Sequence, residues 1–168
     1  MRAAYDYGAD AVYAGSPRYS LRARNNEFAK LDVLEQGIKE AHERNKKFFL
    51  TVNTLPHNSK LKTFVADMEP LIAMKPDALI MADPGLIMTV REKWPEMPIH
   101  LSVQANTTNY WGVKFWQNIG VERIILSREL SMEEIAEIRQ ECPDIELEVF
   151  IHGALCIAYS GRCLLSGY

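Results

Sequence analysis

Cys156 and Cys163 stand seven positions apart near the end of the chain. They lie on a glycine-punctuated stretch, Glu148-Val-Phe-Ile-His152-Gly153-Ala-Leu-Cys156-Ile-Ala-Tyr-Ser-Gly161-Arg-Cys163-Leu-Leu-Ser166-Gly-Tyr168. A thiol pair on an irregular loop can ligate a metal or a cluster, carry redox chemistry or supply a nucleophile. Two thiolates are half of a four-ligand site. Zinc takes its paired ligands about two to four residues apart, closer than these. A nucleophilic cysteine needs a base, and His152 is the nearby one. His152 itself reads three ways: a metal ligand, an acid–base group, or a histidine that ends a buried strand and hydrogen-bonds a loop carbonyl. His42, His57 and His100 show no metal spacing with one another, and His42-Glu43 lacks the second histidine of a His-Glu-x-x-His zinc helix. No Gly-x-Ser-x-Gly elbow is present.

A second reactive stretch is Ser20-Leu-Arg22-Ala-Arg24-Asn25-Asn26-Glu27-Phe28. Arginine forks match carboxylate or phosphate, so this loop suits an anion such as a small dicarboxylate. The plainer reading is a solvated loop with salt bridges to Glu27. Further polar side chains follow apolar runs at Asn53, Asp83, Gln104, Asn106, Arg128, Glu129 and His152. For any one of them an ordinary loop residue is an equal reading. As a set they read as the lining of a ligand pocket.

The elements that must position these residues alternate along the whole chain. Apolar runs predict strands over Ala11–Ala14, Phe48–Asn53, Ala78–Ala82, Ile99–Gln104, Arg123–Leu126 and Glu146–Ile151. Three-four spacing predicts helices over Leu31–Asn45, Leu61–Met74, Gly85–Trp94, Tyr110–Ile119 and Met132–Glu141, with a short one at Arg2–Tyr7. Ser131 followed by Glu134 is a capping box, and Pro76, Pro98 and Pro143 stop helices before the next strand. Such alternation predicts an α/β protein with a parallel sheet and right-handed crossovers. Its spacing suits a parallel (β/α) TIM-barrel-like domain. A doubly wound open sheet is the runner-up, but no Gly-x-Gly-x-x-Gly follows a strand. Six strands against the barrel's eight predict a single partial domain over residues 1–168, its first strand and C-terminal part missing.

Composition narrows the function classes. The 168 residues are 48% hydrophobic and 24% charged with a net charge of -3, and the pI is near 5.8. No block of like charge marks a dedicated nucleic-acid surface. No apolar run reaches the ~18–20 residues of a membrane span, and the start lacks a signal-peptide core. A cytoplasmic protein without disulfides is expected, and Cys142, in Arg-Gln-Glu-Cys-Pro-Asp, reads as a structural bystander.

The stretch around the two cysteines carries a resemblance. Glu148, Phe150, Gly153, Ala154, Leu155, Cys156, Gly161, Cys163, Leu165 and Ser166 meet every fixed position of the signature of peptidase family U32. The likeness extends over Gly8–Gly15, Tyr19–Arg22, Arg24–Phe28, Asp77–Met81, Asp83–Gly85, His100–Asn106 and Ile125–Leu130. Within the family the chain most resembles the branch that hydroxylates tRNA, which acts with prephenate on carbon 5 of the wobble uridine. The resemblance implies a redox enzyme whose partners are tRNA and prephenate or a similar dicarboxylate. Relatives in anaerobic ubiquinone hydroxylation carry a [4Fe-4S] cluster on four cysteines, two of them spaced like Cys156 and Cys163. These two are therefore implied as a partial ligand set, and Cys142 does not match the others. The family's older label implies the alternative, a collagenase-like peptidase.

Overall fold

The computed structural model describes residues 1–21, 26–153 and 159–160. The chain divides into two compact units, Met1–Ile80 and Met81–Tyr168. Each repeats one strand-helix rule.

The first unit contains α1 (Arg2–Asp6), β1 (Ala11–Gly15), α2 (Leu31–Glu43), β2 (Lys47–Val52), α3 (Asn58–Ala73) and β3 (Ala78–Met81), whose last residue opens the second unit. β1 and β2 pair in parallel from Ala11↔Lys47 to Gly15↔Thr51. All of β2 past Lys47 is buried, which explains its unbroken apolar run. Leu34, Ile38 and Ala41 form the buried stripe of α2, and Phe64, Met68 and Leu71 that of α3. Both stripes follow the helical period. The carboxylate of Asp77 accepts from Phe48 N–H at 2.8 Å and stands 3.0 Å from His42 Nε2, so the residue before β3 ties β2 to α2. Tyr5 of α1 is buried and donates its hydroxyl to the Lys47 carbonyl at 3.0 Å.

The second unit contains α4 (Pro84–Lys93), β4 (Ile99–Leu101), a 3-10 turn (Val103–Ala105), α5 (Tyr110–Asn118), β5 (Arg123–Ile125), α6 (Met132–Glu141) and β6 (Glu146–Glu148). β4, β5 and β6 lie side by side in chain order. They are parallel, with His100↔Arg123 and Arg123↔Glu146 in register. Ser102 N–H donates to the Met81 carbonyl at 2.7 Å, which seats the end of β4. The Ser131 capping box is formed as expected, and α6 has the expected bounds. Two helices end on the same device. Arg91 donates to the carbonyls of Pro95, Met97 and Gly120. Arg139 donates to those of Cys142, Pro143 and Ile145. Each guanidinium gathers carbonyls of the turn after its own helix, and Arg91 also reaches the Gly120 carbonyl after α5.

The α/β class of parallel TIM-barrel-like (β/α) units is the one expected. Two strands stop three residues earlier than expected. β4 stops at Leu101 because the Ser102 hydroxyl caps the 3-10 turn, accepting from Gln104 N–H at 3.3 Å. β6 stops at Glu148 because β5 itself ends at Ile125, so residues past Glu148 have no ladder neighbour; the last bond runs from Leu126 N–H to the Glu148 carbonyl at 2.9 Å. Ile151 is consequently 95% exposed. His152 therefore does not end a buried strand, a correction to the sequence-based expectation.

α5 carries apolar residues on two faces. Val113 is fully buried, while Trp111, Phe115 and Ile119 form an outward line, with Trp111 70% exposed. No helix among the described residues is long and apolar enough to cross a membrane.

Candidate functional site

The polar side chains read from the sequence follow the C-terminal ends of strands, where (β/α) proteins gather their chemistry. In the first unit they hold the two flanks of the arginine loop. Asn53 Oδ1 accepts from Leu21 N–H at 3.3 Å, fixing the residue just before Arg22. Ser20 is buried with its hydroxyl 2.8 Å from Thr51 Oγ1. The single Thr51 proton goes to the Ala14 carbonyl at 3.1 Å, so Ser20 is the donor to Thr51. On the far flank Asn26 donates to the Gly15 carbonyl and accepts from Phe28 N–H at 3.0 Å. Gly15 is needed for this close approach: a Cβ there would lie 2.8 Å from Ser20 Oγ and 3.2 Å from Asn26 Nδ2. The loop is thus anchored at 20–21 and at 26–28. Arg22 and Arg24 lie outside the described residues.

Tyr19, just before this loop, donates its hydroxyl to Asp67 Oδ2 at 2.7 Å. Arg18 and Thr63 reach the same carboxylate at 2.7 and 2.8 Å. Donation by Tyr19, then by Thr63 and Arg18, holds the Asp67 carboxyl below the usual carboxylate range. Burial raises the Tyr19 hydroxyl above the usual phenol range.

In the second unit Asp83 caps α4, its Oδ1 accepting from Leu86 N–H at 2.9 Å. Gln104 sits in the 3-10 turn, and Asn106 closes that turn in the left-handed region at φ 53°; both are half-buried. Arg128 and Glu129 follow β5 and reach the stretch around the cysteines. The Arg128 guanidinium lies 4.1 Å over the Phe150 ring. The Glu129 carboxylate accepts from Ser160 N–H at 2.9 Å and from the Ser160 hydroxyl at 3.2 Å, and Ser160 is 1% exposed. His152 is exposed. Cys156 and Cys163 lie outside the described residues.

Sequence reasoning missed the partnership of Glu129 with Ser160, since nothing local links positions 31 apart. It also missed a set of buried hydroxyls. Ser16 and Thr54 in the first unit, and Thr107 and Ser127 in the second, have hydroxyl oxygens without a hydrogen-bond partner among the described residues. A buried, unsatisfied hydroxyl costs about 1–3 kcal/mol; Ser16, Thr54 and Ser127 stand within two residues of a strand end, and Thr107 follows the 3-10 turn. A serine or threonine after an apolar run was the available signal, but such residues are too common in loops to be told apart by type.

The described residues hold no group of three or more His, Cys, Asp or Glu able to bind a metal ion. Cys142 is packed at the end of α6 with its sulfur 3.7 Å from the Tyr110 carbonyl, and burial raises its thiol above the usual range.

The family model of Peptidase family U32 matches residues 1–168. The chain belongs to peptidase family U32. It is 68% identical over its whole length to tRNA hydroxylation protein P of Escherichia coli (strain K12), covering 37% of that protein. It is 69% identical to tRNA hydroxylation protein P of Haemophilus influenzae, covering 36% of it. The chain thus spans a little over a third of these relatives. The solved structure of the U32 peptidase Mk0906 matches with a TM-score of 0.70 at 15% identity, over 84% of this chain and 60% of that one. At that identity the likeness is one of fold, and it agrees with the (β/α) units described above.

Proposed function

We propose that this U32 chain is part of a cytoplasmic, prephenate-dependent tRNA hydroxylase that acts on carbon 5 of the wobble uridine. The single supporting observation is the 68–69% identity, over all 168 residues, to two tRNA hydroxylation proteins P. With a net charge of -3 this segment exerts no overall electrostatic pull on phosphate. Arg22 and Arg24, on a loop anchored by Asn53 and Asn26, are the residues suited to an anionic co-substrate such as prephenate.

Cys156 and Cys163 are proposed as two ligands of a [4Fe-4S] cluster. The donor chemistry fits, since thiolates are the ligands such clusters take. When bound, the group would supply one-electron transfer. Among the described residues of this stretch, Ser160 is held by the Glu129 carboxylate. Cys142 is excluded as a third ligand by its place in the core.

The test uses the complete protein, purified without oxygen, together with tRNA nucleosides from cells lacking its gene. The expected result is bound iron and sulfide, and 5-hydroxylated uridine restored by the wild-type gene but not by Cys156→Ala or Cys163→Ala. Unchanged nucleosides in the deletion strain would remove the hydroxylase reading. Iron-independent peptide cleavage, lost on changing one cysteine, would replace it with the peptidase reading.

A further inference from the structure

We propose that the outer face of α5 and α6 is a docking surface for a protein partner, and that the partner presents a basic amphipathic helix. This surface stands apart from the thiols and from the hydroxylase reading, and its fate does not depend on theirs.

The apolar half of the surface is on α5. Val113 faces inward and is fully buried. Trp111 and Phe115 lie one turn apart on the opposite side of the helix. They are 70% and 55% exposed, and Ile119 continues their line just past the helix end. Single exposed apolar residues are ordinary on a soluble protein, whereas a contiguous row marks an interaction site. Trp and Phe are also among the types enriched where proteins meet.

The charged half is on α6. Ile138 is the buried residue of that helix. Glu133, Glu137 and Glu141 recur every four residues and so share one flank. The flank faces α5, because the Glu141 carboxylate accepts from Lys114 Nζ at 2.7 Å. Lys114 Nζ also stands 5.4 Å from the centre of the Trp111 ring, so the acidic flank adjoins the aromatic row. Lys114 is the one cation of α5, and Glu141 occupies it. Arg139, the one cation of α6, is spent on the carbonyls of the following turn. Glu133 and Glu137 are exposed, and among the described residues no ion pair neutralises them.

That charge selects the occupant. Exposed rings can stack nucleic-acid bases, but such platforms come with a positive groove that tracks the backbone. Here carboxylates stand beside the rings and repel phosphate. Carboxylates beside an apolar row instead match a helix with one apolar row and a neighbouring row of Lys or Arg. Its apolar side chains would seat in the groove mode of helix recognition, and its cations would set orientation and on-rate.

The experiment uses the complete protein and, as probe, a fluorescein-labelled synthetic helix of about five turns, with leucine on one row and lysine on the next. Fluorescence anisotropy measures its affinity. We expect saturable binding with a Kd at or below about 100 µM. Trp111→Ala/Phe115→Ala should weaken it at least about tenfold, as loss of an aromatic anchor does. Glu133→Gln/Glu137→Gln should weaken it about threefold or more, since each exposed ion pair contributes modestly. All four positions are exposed, and wild-type melting temperatures confirm that both variants fold. The same helix with glutamate in place of lysine should not bind. Wild-type affinity in both variants overturns the proposal, as does equal binding of the acidic helix or no binding of the basic one. Single-stranded RNA that binds the wild type and is lost in Trp111→Ala/Phe115→Ala would assign the row to nucleic acid instead. A dimer in sedimentation, lost in that same variant, would assign it to a second copy of the chain.

Discussion

Tyr19 and Asp67 meet hydroxyl to carboxylate at 2.7 Å, and this contact couples the turn after β1 to the middle of α3. Because Thr63 and Arg18 converge on the same carboxylate, the base of the arginine loop is set by a side chain 48 positions from Tyr19.

That convergence has a pH signature. The folded-state pKa of Asp67 is lowered, so the group contributes stability above its unfolded value, near 3.9, and loses it as pH falls through the folded value. Asp67→Asn should melt below wild type at neutral pH, and the gap should narrow below about pH 4. Melting curves of the two proteins across acid pH check this. A gap that widens toward acid would contradict the assignment.

Gly37 makes a second, steric prediction. Alanine in a helix is ordinarily favoured over glycine by about 1 kcal/mol. Here a Cβ would meet Phe28 Cε1 at 2.6 Å, and the Phe28 ring is backed edge-on by Phe48 at 5.4 Å. Overpacking costs about 1–3 kcal/mol, so Gly37→Ala should lower stability. Removing the ring with Phe28→Ala should turn the same change neutral or favourable. Denaturant unfolding of the four proteins in the cycle measures the coupling, and a coupling of zero would mean the ring moves aside freely.

Asn53 is predicted to protect a loop. With its acceptor gone, Leu21 N–H loses its 3.3 Å bond, and trypsin should cut after Arg22 or Arg24 several-fold faster in Asn53→Ala. Asn53→Asp keeps the acceptor and should cut at the wild-type rate. Equal digestion of all three proteins would show that the flank is held by other contacts.

Arg139 offers a test of the turn after α6. Its guanidinium lies 2.8–3.3 Å from three carbonyls, those of Cys142, Pro143 and Ile145. Arg139→Met should cost about 1 kcal/mol, below the ~1.5–3 kcal/mol typical of charged hydrogen bonds because the side chain is exposed. Lysine, a point charge on a flexible stem, should recover only part of this. Full recovery by lysine would mean that charge, not the planar fork, is what the turn uses.

The order of elements was legible because burial and period coincide. In α2 Leu34, Ile38 and Ala41 fall at helical spacing and all three are buried, and in α6 the pairing of Ser131 with Glu134 marked the start. The ends of β4 and β6 were not legible from hydrophobicity. Val103 is apolar yet belongs to a 3-10 turn, and Val149 to Ile151 are apolar yet leave the sheet, because pairing depends on how far a neighbouring strand runs.

The candidate site was legible in residue types and not in their partners. Asn53 and Asp83 were read as ligand-facing, and each spends an oxygen on a backbone amide at a loop flank or helix start. Asp83 before Pro84 was a readable helix-start signal. Glu129 and Ser160 were not readable as a pair, since sequence shows charge and hydroxyl but no distance.

The outward line of Trp111, Phe115 and Ile119 makes ionic strength a diagnostic for any association this chain shows. Adhesion through that line strengthens with sulfate, which drives apolar surface out of water. Attraction to RNA phosphates weakens as counterions accumulate. A titration of salt therefore sorts stickiness from recognition by the sign of its slope.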